Sequence, residues 1–346
     1  MIRKLFLLWL FPFAVYAQNE VEVKRLSAGR KIEVYLDKKF FTAFCYPDSL
    51  TKPILFPIMD GAGQPVTRGF PLSPRPGEPD DHPHHTGLWL TYENVNGLDF
   101  WNNSYAIPPE KKHLYGWIRT DSILQCSGGK TGVIRYHARW TDQQDGVLMY
   151  EDTKYIFSGS GNDRWIDRIT VLKADTDIVF HDAKDGLLGL RMSHELQIPS
   201  RTDQQFRDKK GNLTIVKKDS IAGGDYLTSE GKRGDSAWST RAAWCKAFGK
   251  IGRDSVSITI FDHSGNPNYP AFWHARGYGL FAVNPLGEKI FTNGKSAKNL
   301  QLKKGESVRF AFRVVVDQGA KTLSPEQLTQ LANDFAKTKA EIGSLK

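Results

Sequence analysis

Residues 81–101, DHPHHTGLWLTYENVNGLDFW, place His82, His84, His85, Glu93 and Asp99 with Trp89 and Trp101 in one short window. Imidazoles beside carboxylates can move protons or hold a metal ion, and aromatic faces can hold sugar rings. Pro83 disfavours a helical His82, so the pattern predicts an extended His82-Pro83-His84 with the imidazoles of His82 and His84 on one side. In the strand that follows, His85, Trp89 and Glu93 share a face with Gly87 and Thr91, and Leu88, Leu90 and Tyr92 form the core face. A proton-transfer site would then use His84 and His85 with Glu93, with His82 and Trp89 on the substrate. A divalent metal would take His82 and His84 and need a distant ligand such as His194, Asp262 or His263. A metal-free acid–base or binding role and a hydrogen-bonded structural cluster are the other readings, and no motif names a cofactor.

A second window, FDHSGNPNYPAFWHARGYGLF, carries Asp262, His263, Trp273, His274 and Arg276. Trp273 could stack on a sugar, and the planar guanidinium of Arg276 suits a carboxylate. Asp262 and His263 are read as substrate contacts and His274 and Arg276 as catalytic partners of the first window; packing of the loop by hydrogen bonds is the competing reading. In DAKDGLLGLRMSHELQ, Lys184 beside Asp182 and Asp185 is a substrate clamp or a solvated ion cluster. Alternation there puts Arg191 and Glu195 on the cleft face and His194 on the apolar face. Trp101 is a sugar platform or a buried anchor. One reaction using both windows requires His84 or His85 and Glu93 to share a concave surface with His274 and Arg276.

The elements that must position these groups are mostly strands. In KIEVYLDKKFFTAF, Ile32, Val34 and Leu36 alternate with Lys31, Glu33 and Tyr35, the pattern of a half-buried strand. Comparable strands are predicted at 53–59, 86–92, 132–140, 148–157, 165–173, 187–197, 255–262, 278–283 and 307–316, separated by turn-forming NVNG, GGKTG, SGSGN and HSGNPNYP. One helix is predicted near 325–339, opened by Ser324, Pro325 and Gln327 and carrying Leu328, Leu331, Ala332 and Phe335 at helical spacing; it is expected at the edge of the sheets. The expectation is an all-β protein: a large antiparallel β-sandwich with a short C-terminal helix, forming one domain over 18–346.

Arg3 and Lys4 precede an apolar run from Leu5 to Val15, and Val15 and Ala17 supply the small residues of a leader cleavage site. Residues 1–17 therefore read as a signal peptide and the mature chain as a periplasmic or secreted protein, with no later apolar run long enough for a membrane helix. The net charge of +9 falls to +7 without Arg3 and Lys4. Its cations are dispersed, which suits a basic surface or an acidic glycan, and export removes nucleic acid as a partner. Cys45, Cys126 and Cys245 have no metal or redox spacing; free thiols or a single disulfide are the options.

The segments PILFPIMDGAGQPVTRGFP, DHPHHTGLWLTYENVNGLDFW, FHDAKDGLLGLR, STRAAWCKAFG and FDHSGNPNYPAFWHARGYGLFAVNPLG, in that order, resemble the domain family labelled methane oxygenase PmoA, over roughly residues 40–317. A methane oxygenase subunit of that name is an integral membrane protein, and this chain offers no spans, so the label does not transfer as chemistry. The resemblance implies an exported protein of glycan-degrading bacteria with a galactose-mutarotase-like β-sandwich. The reading that follows is a carbohydrate-active enzyme, a lyase or epimerase working by histidine-mediated proton transfer on a glycan or sugar derivative. A non-catalytic glycan-binding protein using Trp89, Trp101 and Trp273 is the alternative, and a metal-dependent oxidoreductase the third. Expressed with its own leader, the protein is expected to start at Gln18; N-terminal sequencing of the exported fraction tests this, and recovery of Met1 contradicts it.

Overall fold

The computed structural model describes residues 20–207, 213–218 and 222–341; residues 1–17, expected to be a signal peptide, lie outside them. Two eight-stranded antiparallel sheets carry the architecture. The first runs, in spatial order, Val21–Arg25, Lys31–Leu36, Lys39–Cys45, Ile54–Ile58, Leu88–Tyr92, Gly186–Arg191, Leu280–Asn284 and Phe272–Ala275. The second runs Asp225–Thr228, Trp244–Ile251, Asp254–Asp262, Ser307–Gly319, Asp163–Ala174, Val147–Ser160, Gly132–Thr141 and Trp117–Ser127. The all-β expectation holds. Of the strands the pattern missed, Trp244–Ile251 carries buried Lys246 and Phe272–Ala275 is buried at every position, so neither alternates visibly.

The inner faces follow the period of two. Ile32, Val34 and Leu36 are fully buried while Lys31, Glu33 and Tyr35 are half-buried. Across the sandwich, Phe44 stacks on Tyr136 at 4.6 Å between centroids and Phe41 meets Phe157 edge-on at 6.3 Å. Both sheets thus contribute to one apolar core. Within it, Glu151 accepts hydrogen bonds from Arg168 (2.7 Å), Tyr136 (2.6 Å), Thr153 (2.7 Å) and Trp140 (2.8 Å). That buried charge is therefore fully paired, as burial demands.

The helix Pro325–Ala336 begins with the anticipated capping box at Ser324 and Gln327. It lies across the outer face of the second sheet rather than at an edge, because Leu328 and Phe335 pack on Trp244, Phe261, Ile169, Ala311 and Val315 in the middle of that sheet. Among the described residues, no α-helix packs on the outer face of the first sheet. Instead Trp89, Leu280 and Ala282 are covered by loops carrying Trp101 and Tyr278 and by Val216 of a small ribbon, Gln204–Arg207 with Leu213–Val216. Among the described residues, no helix is long and apolar enough to cross a membrane. Cys45, Cys126 and Cys245 are free thiols, with burial pushing the Cys45 thiol up to about 11. Glu151→Ala strands the buried Arg168 cation and is expected to cost about 3–5 kcal/mol of stability by urea unfolding, an outcome that a loss below 1 kcal/mol would contradict.

Candidate functional site

Alternation along three strands of the first sheet decides what reaches the loop-covered face. On Leu88–Tyr92, Leu88, Leu90 and Tyr92 enter the core and Trp89 points out. On Phe272–Ala275, Trp273 and Ala275 point in, so His274 points out. Gly189 of Gly186–Arg191 has no side chain, which lets Trp89 and Trp101 lie on the sheet; a Cβ there would sit 2.6 Å from each indole.

Above this floor the histidine segment forms a tight turn rather than the expected extended run. His82 has φ of 44°, and its carbonyl accepts from the His85 amide at 3.0 Å. Tertiary hydrogen bonds override the pre-proline preference. Arg68 donates to the carbonyls of Pro79 (3.2 Å), Asp81 (2.7 Å), His82 (3.0 Å) and His85 (3.1 Å), and the Asp81 carboxylate holds His82 Nδ1 at 2.5 Å. The His82 and His84 rings still border one cavity, edge-on to each other with centroids 5.6 Å apart. Tyr278, His82, His85 and Trp89 form a stack of near-parallel rings with successive centroids 5.0, 4.7 and 5.4 Å apart. His84 stands outside the stack, edge-on to His85 at 4.3 Å, and is half-buried.

The turn borders a cavity of about 390 Å³ lined by His82, His84, His85, Trp101, Lys184, Asp185, His274, Arg276 and Tyr278, with Thr214 and Leu213 of the small ribbon at its mouth. The structure thus brings His82, His84 and His85 together with His274 and Arg276, and Lys184 joins them. Glu93 does not line the cavity. It lies behind Asp185, whose amide is 3.3 Å from Glu93 Oε2. Asp185 replaces it at the wall, with Oδ1 3.3 Å from His274 Nδ1 and Oδ2 3.5 Å from Lys184 Nζ. The His274 contact is an approach rather than a hydrogen bond, and Nδ1 has no hydrogen-bond partner among the described residues.

Other expected contacts lie elsewhere. Trp273 is a core residue whose indole donates to the Ala242 carbonyl at 2.9 Å, so it offers no sugar platform. Trp89 is sealed beneath Trp101 and His85, and Trp101 itself is 1% exposed with only part of its ring at the cavity. Asp262 organises its own loop, accepting from Asn266 Nδ2 at 2.7 Å and the Ala271 amide at 2.8 Å. His263 packs against Phe335 of the C-terminal helix at 4.9 Å, on the other sheet. Glu195 pairs with Arg75 at 3.3 Å, away from the cavity, because the strand ends at Arg191 and the next residues form a 3-10 turn; the same turn removes His194 from the alternating pattern. Arg191 is wholly buried beneath the site, 2.8 Å from Asp81 and 3.4 Å from His85 Nδ1.

Sequence reasoning missed Arg68, Asp81, Tyr278 and Lys52. Asp81 immediately precedes the histidines, and Lys52 is the one charge in the apolar run Leu50–Ile58. Buried Lys52 donates to the carbonyls of His84 (2.8 Å) and Trp101 (3.2 Å), and burial pushes its amine down to about 7.

Burial dominates the electrostatics. It lowers the pKa values of His82, His84, His85 and His274; nearby cations, Arg68 for the turn and Lys184 and Arg276 for His274, act in the same direction, while the Asp81 carboxylate opposes the shift at His82. These imidazoles are neutral at pH 7. Burial raises the Asp185 carboxyl to about 7, with Glu93 and Asp99 adding to the effect and Lys184 opposing it. Two neutral imidazoles, His82 and His84, could serve as metal donors, yet among the described residues no three His, Cys, Asp or Glu side chains are grouped to hold an ion.

A family model matches residues 31–333. The chain belongs to DUF6807, a family of unknown function. The family therefore supplies no chemistry of its own. No curated protein matches the chain. Among solved structures it is similar to the GH36 α-galactosidase AgaB of Geobacillus stearothermophilus (9% identity, 87% of this chain and 41% of that one, TM-score 0.37). It is also similar to the galactosidase domain of the α-galactosidase-sucrose kinase AgaSK (11%, 88% and 42%, TM-score 0.39) and to a proposed aldose 1-epimerase of Escherichia coli (9%, 86% and 99%, TM-score 0.34). The chain spans about two fifths of the length of the galactosidases. At these scores the overlaps carry no argument about activity.

The buried histidines make a pH prediction. Their folded pKa values lie below the unfolded value near 6.5, so the unfolded chain binds protons first and stability is lost as pH falls below ~6.5. Asp185 and Asp262, both raised to about 7, act in the opposite sense by taking up protons in the folded state first. His85→Gln removes one depressed histidine, so between pH 6.5 and 5 its stability should fall less steeply than the parent's, by up to about 1.4 kcal/mol per pH unit. Urea unfolding across that range checks this, and parallel curves contradict it.

Proposed function

We propose that this protein is an enzyme acting on a sugar or sugar derivative by proton transfer, an epimerase or lyase rather than a hydrolase. The observation that carries the reading is the Asp185–His274 pair, 3.3 Å apart, in one cavity with His84 and Arg276. A carboxyl raised to about 7 can take and return a proton near neutrality, which is what a general acid–base group requires. His274, neutral and without a hydrogen bond at Nδ1 among the described residues, can tighten onto Asp185 as the carboxyl changes charge. Neutral His84, from a different element, supplies a second proton carrier, and Arg276 can stabilise negative charge developing on a carbonyl or carboxylate. Together these meet the demands of abstracting a proton from a sugar carbon and delivering one to the product.

Hydrolysis by the usual route calls for two carboxylates flanking one bond, and among the described residues Asp185 is the one carboxylate on the cavity wall. The glycan-binding alternative relied on open indole faces, and the burial of Trp89, Trp101 and Trp273 works against it. The expected setting is the periplasm or cell exterior, following the leader-like residues 1–17. The sugar-acting neighbours fit this reading without adding weight to it.

The test is incubation of the purified protein with a panel of sugars and oligosaccharides in deuterated water, with mass spectrometry of recovered substrate and product. Deuterium at a former C–H position, or an unsaturated or epimeric product, is expected. Asp185→Asn and His274→Gln should each lower turnover by about 10²–10⁴-fold while the melting temperature changes little. With Asp185 acting as the base, activity should rise with pH through about 7, and that limb should vanish in Asp185→Asn. Saturable binding with no exchange and no product would favour the binding protein instead.

A further inference from the structure

A second cavity, of about 290 Å³, opens beside the first and is lined by Ser49, Thr51, Lys52, Phe70, Leu72 and Tyr105, among others. The two cavities share Pro83, His84 and Ser104 as lining residues, so His84 stands in the wall between them. Its ring is thus adjacent to both spaces, whereas His82 and His85 border the first one alone.

The surface around this second space is unusual for the molecule. Leu72 is 42% exposed and Tyr105 69% exposed, two of the large hydrophobic side chains left open to solvent, and both lie on its lining; Leu213, 50% exposed, occupies the mouth of the first cavity. Open apolar groups gathered about adjoining hollows mark a surface that a ligand covers. Ser49, Thr51 and Ser104 add hydroxyls, and Phe70 and Tyr105 add rings, to the same small space. Hydroxyls combined with aromatic faces suit a sugar ring, whose edge hydrogen-bonds and whose C–H face packs on an aromatic.

We infer that the second cavity is a subsite for an adjoining sugar residue, so that the ligand is a glycoside of at least two residues spanning His84. This rests on the sugar reading proposed above and narrows it from sugars in general to linked ones. One residue occupies the cavity with Asp185, His274 and Arg276; the next lies between Phe70, Leu72 and Tyr105. His84, in the shared wall, is then beside the linkage.

The experiment is titration calorimetry on the full mature protein with matched sugars: glucose with cellobiose and maltose, galactose with lactose and melibiose, and galacturonate with digalacturonate. At least one disaccharide should bind ten times more tightly than its own monosaccharide. In Tyr105→Ala and Leu72→Ala, both at exposed positions where folding tolerates truncation, that advantage should fall below threefold, with unchanged melting temperatures confirming the fold. Equal affinities for both members of every pair, absence of binding by every disaccharide, or an advantage that both variants retain would each overturn the subsite. Failure of the enzymatic reading looks different: the disaccharide advantage and its loss in the variants would persist, with no deuterium exchange on the bound sugar.

Discussion

The Asp81 carboxylate, held between two buried arginines, is the interaction on which the site depends. Arg191 rises from the middle of the first sheet and meets Asp81 at 2.8 Å; Arg68 lies 3.5 Å from it and binds four carbonyls of the same loop. All three side chains are removed from solvent. Taking three charges out of water is costly, and the cost is offset because almost every donor and acceptor finds a partner. The anchored loop then has one conformation. Its histidine turn, including the left-handed backbone of His82, is imposed from outside rather than chosen by its own residues.

The same network sets protonation. Burial disfavours imidazolium at both His82 and His85; the two arginines add to it at His85, whereas at His82 the Asp81 carboxylate opposes it. The stack of Tyr278, His82, His85 and Trp89 consequently behaves as an aromatic wall with polar edges. On the proton-transfer reading proposed above, the chemistry falls to groups outside that wall. Asp185 titrates near neutrality because burial and neighbouring acids act on it, and Lys184 only partly compensates. The arrangement separates a rigid, neutral scaffold from one titrating carboxyl, which is how pairs of environments assign acid–base roles in proton-transfer sites.

Much of the fold was legible because half-buried strands alternate. Ile32, Val34 and Leu36 declare their inner face, and Ser324 with Gln327 declares the helix start. Legibility ended where burial became continuous. Phe272–Ala275 is buried at all four positions, so nothing in its composition says whether Trp273 or His274 faces the core; the sheet register, which pairs Trp273 with Val283 and His274 with Ala282, decides it. Glu195 and His194 were misplaced for a related reason, since the period of two was carried past Arg191 into a 3-10 turn. The density of chemistry at residues 82–85 was visible from the chain alone, while its partners Arg68 and Lys52 were not, because each acts by binding carbonyls, and carbonyls carry no residue signature.

Among the described residues no α-helix covers the outer face of the first sheet, and that is what makes a site there physically reasonable. The outer face of the second sheet is largely occupied by Leu328 and Phe335 of the C-terminal helix, packed on Trp244, Phe261 and Val315. The first sheet instead is covered by loops, whose polar backbone must be satisfied and whose packing leaves hollows. Trp89 and Trp101 can both pack against the sheet at this point only because Gly189 lacks a side chain, and their packing supports the cavity holding Asp185, His274 and Arg276. A larger residue at 189 would lift both indoles into that space. The positions of the catalytic candidates therefore rest on a residue that contributes no functional group at all, one whose value lies in the volume it leaves to its neighbours.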